Sequence, residues 1–138
     1  MSTTTQPDPW ALLAAQAHLR LHITPLPHGY RGVTDGQTIW LSDRLTQRER
    51  RCTLMHELIH VERGHRGHQP AAVERSVREA TARVMLPSLD AIRDAIATHH
   101  WTEVADALWV TDDLLHARIA QLTPAERAYL TRRLEHHD

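Results

Sequence analysis

The sequence contains no lysine, a single cysteine and no long run of apolar residues. All 16 basic side chains are therefore arginines, and with 17 acidic residues they leave a formal net charge of -1. A chain so close to neutrality lacks the overall positive charge of a general nucleic-acid binder or a membrane-surface protein. The exclusive use of arginine indicates a GC-rich genome rather than a basic binding site.

The lone cysteine, Cys52, excludes an internal disulfide and is typical of a protein in a reducing compartment. No segment reaches the length of apolar chain that a bilayer-spanning helix needs. Residues 1–9 are polar and have no apolar run behind a basic start, so we expect no signal peptide there. Together these absences predict a cytoplasmic protein that does not bind membranes.

The predicted fold class is α+β, with a small antiparallel sheet packed on two helices and a helical C-terminal part. The 138 residues suffice for one compact domain with a small appendage. We expect residues 1–9 to be disordered, residues 10–98 to form the core, and residues 99–138 to form the helical part, which resembles a helix-turn-helix in its spacing.

Short alternating segments predict the sheet. Leu21 and Ile23 flank a histidine in a first strand, and residues 30–33 and 38–41 read as two further strands. Asp35-Gly36 between the last two is a hairpin signal. A short helix over residues 10–19 is expected to precede the sheet.

The helix after the hairpin has the clearest boundaries in the sequence. Thr46 and Glu49 have the spacing of a capping box just before an apolar run, and Gly64 is a typical C-terminal stop. We therefore predict a helix over residues 47–63.

A second helix is predicted over residues 71–86, because Pro87 cannot continue it. Helical spacing predicts the residues of its buried face: Val73, Val77, Ala80 and Val84.

The first of these helices carries the run His56-Glu57-Leu58-Ile59-His60, an HExxH motif. The four-residue spacing places both imidazoles on one helical face, one turn apart, where both can ligate one metal ion. Glu57 is the expected general base, and zinc makes the attacking water acidic enough to ionise near neutral pH. A chance match is the alternative, but the capped helix with apolar residues around the motif argues against it. The motif predicts a zinc metalloprotease.

A tetrahedral catalytic zinc site needs a third protein ligand. The metzincin pattern would place glycine and histidine at two positions that here hold Arg63 and Arg66, so that class is excluded. Acids on the second helix are stronger candidates, as in a gluzincin-like site. Depth along an antiparallel helix pair and the direction of each residue both favour Glu74, and Glu79 is the alternative third ligand.

Three further side chains could approach the metal. His65 and His68 lie on the glycine-containing loop between the helices, although loop histidines are more often solvated. Cys52 lies one turn before His56 on the same face, but a lone cysteine on the apolar side of a helix is more often part of the core.

These residues resemble the ImmA/IrrE family of metallopeptidases, over most of the chain from about Leu21 to Leu134. The resemblance rests on the hairpin ending Thr38-Ile39-Trp40-Leu41, the run Asp43 to Arg51 leading into the motif, Glu74-Arg75-Ser76-Val77, and Val84-Met85-Leu86-Pro87. Counting back from Pro87 places the family's liganding glutamate at Glu74. The family usually has Asn or Asp four residues later, where it supports the metal ligands. This chain has Arg78 there.

The resemblance implies a zinc-dependent, site-specific endopeptidase whose protein substrate is a helix-turn-helix transcriptional repressor. Cleavage in this family switches on a prophage, another mobile element or a stress response. The alternative is a non-proteolytic metal-bound regulator that binds DNA or a repressor without cutting it.

The C-terminal part has helix-turn-helix spacing, with helices predicted over residues 103–108 and 112–122. The second helix would carry His116, Arg118 and Gln121. However, it begins with Asp112-Asp113, whose charges would face phosphates unfavourably, and no basic stripe accompanies it. The sequence therefore favours a pair of helices that covers the core or docks a protein substrate over direct binding of nucleic acid.

Overall fold

The computed structural model describes residues 6–135, which form three strands and seven helices. The strands are β1 (Arg20–Thr24), β2 (Gly32–Thr34) and β3 (Thr38–Ser42). The helices are α1 (Pro9–Ala14), α2 (Gln47–Glu62), α3 (Ala71–Met85), α4 (Leu89–Thr98), α5 (Trp101–Ala107), α6 (Asp112–Ala120) and α7 (Pro124–Glu135). The predicted α+β class with a helical C-terminal part is confirmed.

The sheet is mixed, with strand order β1-β3-β2. β2 and β3 form the predicted antiparallel hairpin, in which Val33 lies opposite Trp40. β1 runs parallel to β3, with Leu21 beside Ile39, so the prediction of a wholly antiparallel sheet is wrong for β1. The hairpin signal determines only how β2 and β3 pair. Nothing local in the sequence indicates which edge of the hairpin β1 joins.

The helix in the N-terminal segment is shorter than predicted. α1 begins after the N-cap residue Asp8 and ends at Ala14, whereas the prediction extended to residue 19. Residues 1–5 of the segment predicted to be disordered lie outside the described residues. The remainder makes specific contacts, since the Gln6 side-chain amide donates hydrogen bonds to the carbonyls of Met85 and Leu108 at 2.8 and 3.0 Å.

The termini of α2 agree with the sequence signals within one residue. The Glu49 amide donates to the Thr46 hydroxyl at 3.2 Å, and the Thr46 amide donates to the Glu49 carboxylate at 2.9 Å. This capping box satisfies two backbone amides that the first helical turn leaves without partners. Gly64, with a φ of 75°, terminates the helix in the left-handed conformation that favours glycine.

Three faces of α2 have different surroundings, and at 100° per residue they lie about 120° apart. Leu54 and Leu58 pack toward the sheet in a small core with Ile39 and Leu41. A second face, formed by Cys52, Met55 and Ile59, belongs to a larger core shared with the other helices. The third face carries Thr53, His56, Glu57 and His60. Burial on two sides holds this third face in a fixed position.

The buried face of α3 differs in part from the prediction. Val77 and Met85 are fully buried, but Val84 is 39% exposed, so its predicted place in the core is wrong. The buried face runs through Thr81 and turns toward Met85 near the end of the helix, where α6 packs against α3. A regular helical stripe drawn from the sequence does not include this turn.

Helices α4 to α7 contribute to the same large core as α2 and α3, through buried residues that include Val104, Leu115 and Leu130. A boundary near residue 98 therefore does not coincide with a gap in packing, and the division into a core and a C-terminal part stays a prediction. No helix within residues 6–135 combines the length and the apolar character that crossing a membrane requires.

Candidate metal centre

A cleft of about 690 Å³ runs along the third face of α2. β2 and the loop before it form one wall, and α3 forms the opposite wall. The loop after α2 and the first residues of α6 also line it. All polar residues of the motif, namely His56, Glu57 and His60, face into this cleft.

Three donor atoms converge within the cleft. Nε2 of His56 and Nε2 of His60 each lie 3.1 Å from Oε1 of Glu74, and the two nitrogens lie 3.2 Å apart. α2 provides the two histidines from adjacent turns, and the first turn of α3 provides the carboxylate. The three atoms therefore form a nearly equilateral triangle.

The donor set fits a divalent transition metal. Bonds of about 2.0–2.1 Å at tetrahedral angles place neighbouring ligand atoms about 3.3 Å apart, close to the spacing of the triangle. Two imidazoles and one carboxylate are also ligands that zinc accepts. Glu79, the alternative third ligand, contributes no atom to this group. Its backbone carbonyl instead accepts a hydrogen bond from Gln121 of α6, because this part of α3 faces α6.

The other three candidate side chains lie near the triangle without joining it. Nδ1 of His65 contacts Nδ1 of His60 at 3.0 Å, on the side of the ring away from Nε2. His68 lines the cleft but is outside the group of converging donors. Cys52 is buried in the large core, as the sequence favoured, and burial raises the pKa of its thiol.

A family model described as the IrrE N-terminal-like domain, Peptidase_M78, matches residues 14–130. The chain belongs to the M78 peptidase family. No curated protein and no solved structure matches the chain. M78 peptidases are metalloproteases, and the match spans every element that forms the cleft.

Beside the triangle, this M78 peptidase has a buried carboxylate. Glu57 is only 5% exposed, and its burial together with the nearby negative charge of Glu74 raises the pKa of its side chain to about 8. No described residue forms a hydrogen bond with this carboxylate. Both of its oxygens are therefore free to interact with a water molecule or a substrate.

Gly32 of β2 is a site residue that the sequence reasoning missed. A Cβ at this position would lie 2.8 Å from Cγ2 of Thr53 and 3.3 Å from Cγ of Glu57. The missing side chain lets the strand approach α2 where the catalytic-base candidate projects. A glycine within a predicted strand is the signal that could have indicated such an approach.

The pKa shifts of Glu74 and His56 suit a metal site, which needs an ionised carboxylate and neutral imidazoles. Burial alone would raise the pKa of Glu74, but the hydrogen bonds and charges of the two histidines outweigh it and lower the pKa. Burial lowers the pKa of His56, and the charges of His60 and Arg78 lower it further, although Glu74 partly opposes them.

Arg78, where the M78 resemblance leads one to expect Asn or Asp, lines the cleft one turn after Glu74. Its side chain is exposed, and no described residue pairs with it. The guanidinium is close enough to His56 to affect its pKa. The substitution therefore adds a positive charge to the cleft wall.

The helix-turn-helix-like pair uses most of its candidate contact residues internally. Nε of Arg118 donates to the Leu86 carbonyl at 2.7 Å, and the Gln121 amide donates to the Glu79 carbonyl at 3.1 Å. Only His116 of the three stays exposed, packed edge-on against Trp101. This arrangement supports the packing interpretation of α5 and α6 over DNA binding.

Proposed function

We propose that the protein is a zinc-dependent endopeptidase that cleaves a specific protein substrate. The observation that carries the proposal is the convergence of His56, His60 and Glu74 beside the buried Glu57 carboxylate, in one open cleft. A structural ion pair would also bring a histidine and a glutamate together. It would not explain three donor atoms at the spacing of a tetrahedral face.

His56, His60 and Glu74 would hold the ion. When bound, zinc supplies a Lewis acid that polarises the scissile carbonyl and acidifies the attacking water. Glu57 would take a proton from the attacking water and later give it to the nitrogen of the leaving amine. Burial raises the pKa of Glu57 in the metal-free chain, and the positive charge of a bound ion would lower it again, toward the range in which the carboxylate can accept a proton.

We propose a helix-turn-helix transcriptional repressor as the substrate, in the cytoplasm. The support is the resemblance to the ImmA/IrrE family and membership of the M78 family. On this proposal, cleavage relieves repression of a prophage, another mobile element or a stress response. The cleft, with a volume of about 690 Å³, has room for a short stretch of an unfolded segment or of an exposed loop of the repressor.

The zinc content of purified protein tests the metal site. Under metal-replete conditions we expect about one zinc ion per wild-type chain. His60→Ala and Glu74→Ala should lose it, and Glu79→Ala, the matched control on the same helix, should keep it. A wild-type protein that holds no divalent metal would contradict the proposal.

Glu57→Gln tests the chemistry separately. This variant should retain zinc and fail to cleave a repressor encoded next to the protease gene, because glutamine cannot accept the proton. Undiminished cleavage by Glu57→Gln would exclude Glu57 as the base.

The second candidate function is a metal-bound regulator that binds a repressor without cutting it. One observation favours it, namely the positive Arg78 side chain on the cleft wall near the metal ligands. Stable co-purification of zinc-loaded wild-type protein with an uncut repressor would support this candidate over the peptidase.

A further inference from the structure

Both ring nitrogens of His60 have partners. Nε2 faces His56 and Glu74, and Nδ1 lies 3.0 Å from Nδ1 of His65. The His60 side chain is only 4% exposed, so the surrounding protein rather than bulk water satisfies this ring. Because a neutral imidazole carries one N–H and one lone pair, the hydrogen on Nδ1 decides whether Nε2 can ligate a metal.

We propose that His65 is a positioning residue that holds His60 in its metal-binding tautomer. In this arrangement, which applies to the metal-loaded site, Nδ1–H of His60 donates to the lone pair on Nδ1 of His65, and Nε2 of His60 keeps its lone pair for the ion. The inference rests on the proposed function, in which His60 is a metal ligand. Metal-bound histidines generally donate their second N–H to an acceptor that fixes the ring, and here the acceptor is another imidazole.

The fold holds His65 in place through its backbone. The His65 amide donates to the His60 carbonyl at 2.9 Å, and the Gly67 amide donates to the Thr34 carbonyl of β2, also at 2.9 Å. Gly64 and Gly67 have φ values of 75° and 74°, which allow the loop to turn sharply on both sides of His65. The loop is therefore attached to the end of α2 and to the sheet.

The other histidine of the motif has no equivalent support. The hydrogen bonds of His56 to described residues all involve Nε2, and its side chain is 20% exposed, so solvent can reach the ring. The protein therefore holds the ring of His60 from both nitrogens but holds the ring of His56 only through Nε2. Loss of His65 should act on the zinc affinity through His60.

Zinc affinity, measured by competition with a chelator, tests this role. Loss of such a hydrogen-bond partner typically lowers metal affinity by about 10–100-fold, which we expect for His65→Ala. His65→Asn should restore affinity to within a few-fold of wild type, because Oδ1 of Asn occupies nearly the position of Nδ1 and can accept the same hydrogen bond. His68→Ala, on the same loop but without contact to His60, should bind zinc like wild type.

A spectroscopic measurement on the zinc-loaded protein gives a second result. In wild type and in His65→Asn, the Nδ1–H proton of His60 should exchange slowly with solvent, because it donates to a neighbouring acceptor in a buried position. In His65→Ala this proton should exchange faster, since the acceptor is missing. This measurement does not depend on activity.

The outcomes separate the inference from the proposed function. Wild-type zinc binding with unchanged affinity in His65→Ala would overturn the role of His65 and leave the metal site intact. Equal losses in His65→Ala and His65→Asn would also overturn it, since loop packing would then explain the effect. Absence of zinc from wild type would contradict the proposed function itself, an outcome distinct from wild-type zinc binding that His65→Ala leaves unchanged.

Discussion

The two packed sides of α2 differ in size and in what they bring to the metal centre. On the sheet side, a small core places Gly32 against Glu57, the proposed base. On the helical side, a much larger core holds α3 so that Glu74 meets the two histidines. The proposed ligand set therefore depends on packing between α2 and α3, and the position of the proposed base depends on packing between α2 and the sheet. Metal binding and catalysis should accordingly be separable by mutation.

The two glutamates of the cleft show the same division in their electrostatics. Burial raises the pKa of Glu57, whereas the histidines lower the pKa of Glu74 despite its own burial. Environments that move two carboxyl pKa values in opposite directions are typical of sites that assign different roles to chemically identical groups.

The largest expected effect comes from truncating two neighbouring residues, each of which lies on a different packed side of α2. Leu54, fully buried, faces the sheet, and Met55, 2% exposed, faces the large core. Each alanine substitution should lower the free energy of unfolding by about 2–5 kcal/mol, measured by urea denaturation of metal-free protein. Only Met55→Ala should also weaken zinc binding under conditions where the protein is folded, because it loosens α3. Equal zinc affinities of the two variants would contradict the claim that zinc binding depends on the large core and not on the sheet side of α2.

The next effect is the pH dependence of stability in metal-free protein. The pKa of Glu57 is about 8 in the folded chain and near 4.5, the ordinary value for a glutamate, in the unfolded chain. Because the protonated form is favoured in the folded chain, Glu57 contributes fully to the free energy of unfolding below its pKa in the unfolded chain. This contribution is lost as the pH rises through about 8. Compared with Glu57→Gln, wild type should therefore lose stability over this range, by up to a few kcal/mol, since one pKa unit corresponds to about 1.4 kcal/mol.

Thermal unfolding of wild type and Glu57→Gln from about pH 5 to pH 9 measures this difference. Glu79→Gln, which changes a glutamate outside the cleft, is the control and should follow wild type. A constant difference between wild type and Glu57→Gln at every pH would show that the Glu57 side chain does not titrate as described.

A smaller effect is expected from Gly32→Ala on the sheet side. The new Cβ would lie 2.8 Å from Cγ2 of Thr53, so the strand or the helix must move, at a cost of about 1–3 kcal/mol. Peptidase activity should fall while zinc content stays at the wild-type level, because Glu57 moves and Glu74 does not. Adding Thr53→Ser, which removes Cγ2, should recover part of the loss. If Gly32→Ala lost zinc, the positions of the proposed ligands would also depend on packing between α2 and the sheet.

The smallest effect concerns Arg78 on the helical side. Removing its positive charge in Arg78→Ala should tighten zinc binding by a few-fold, and the gain should shrink at high salt because the side chain is exposed. Arg75→Ala is the matched control, since Arg75 is exposed on the same helix outside the cleft. The same gain in both variants would indicate a general effect of net charge.

Local signals in the sequence predicted much of the centre. The capping box and Gly64 defined α2, and helical periodicity favoured Glu74 over Glu79, in agreement with the positions in the structure. These predictions agree with the structure because the ends of a helix, and the side of the helix on which a residue lies, depend on residues within a few turns of one another.

Features set by distant parts of the chain were not predictable in this way. The parallel pairing of β1 depends on which edge of the hairpin is available, and the exposure of Val84 depends on where α6 packs. The contact between His65 and His60 requires two glycines with positive φ and a hydrogen bond from the loop to β2. No short sequence pattern indicates any of these features, and the usual expectations for such segments are antiparallel pairing, a regular buried stripe and a solvated loop histidine.

The double-sided burial of α2 limits how this segment can change in evolution. Among the nine consecutive residues 52–60 all are buried except His56, which is partly buried and points into the cleft. Helix α3 has a solvent-facing side, and substitutions can accumulate there without affecting the core. A saturation mutagenesis profile should therefore show intolerance as one unbroken block in α2 and as a periodic pattern in α3. Substitutions that reshape the cleft would then fall on its walls and spare the helix at its base.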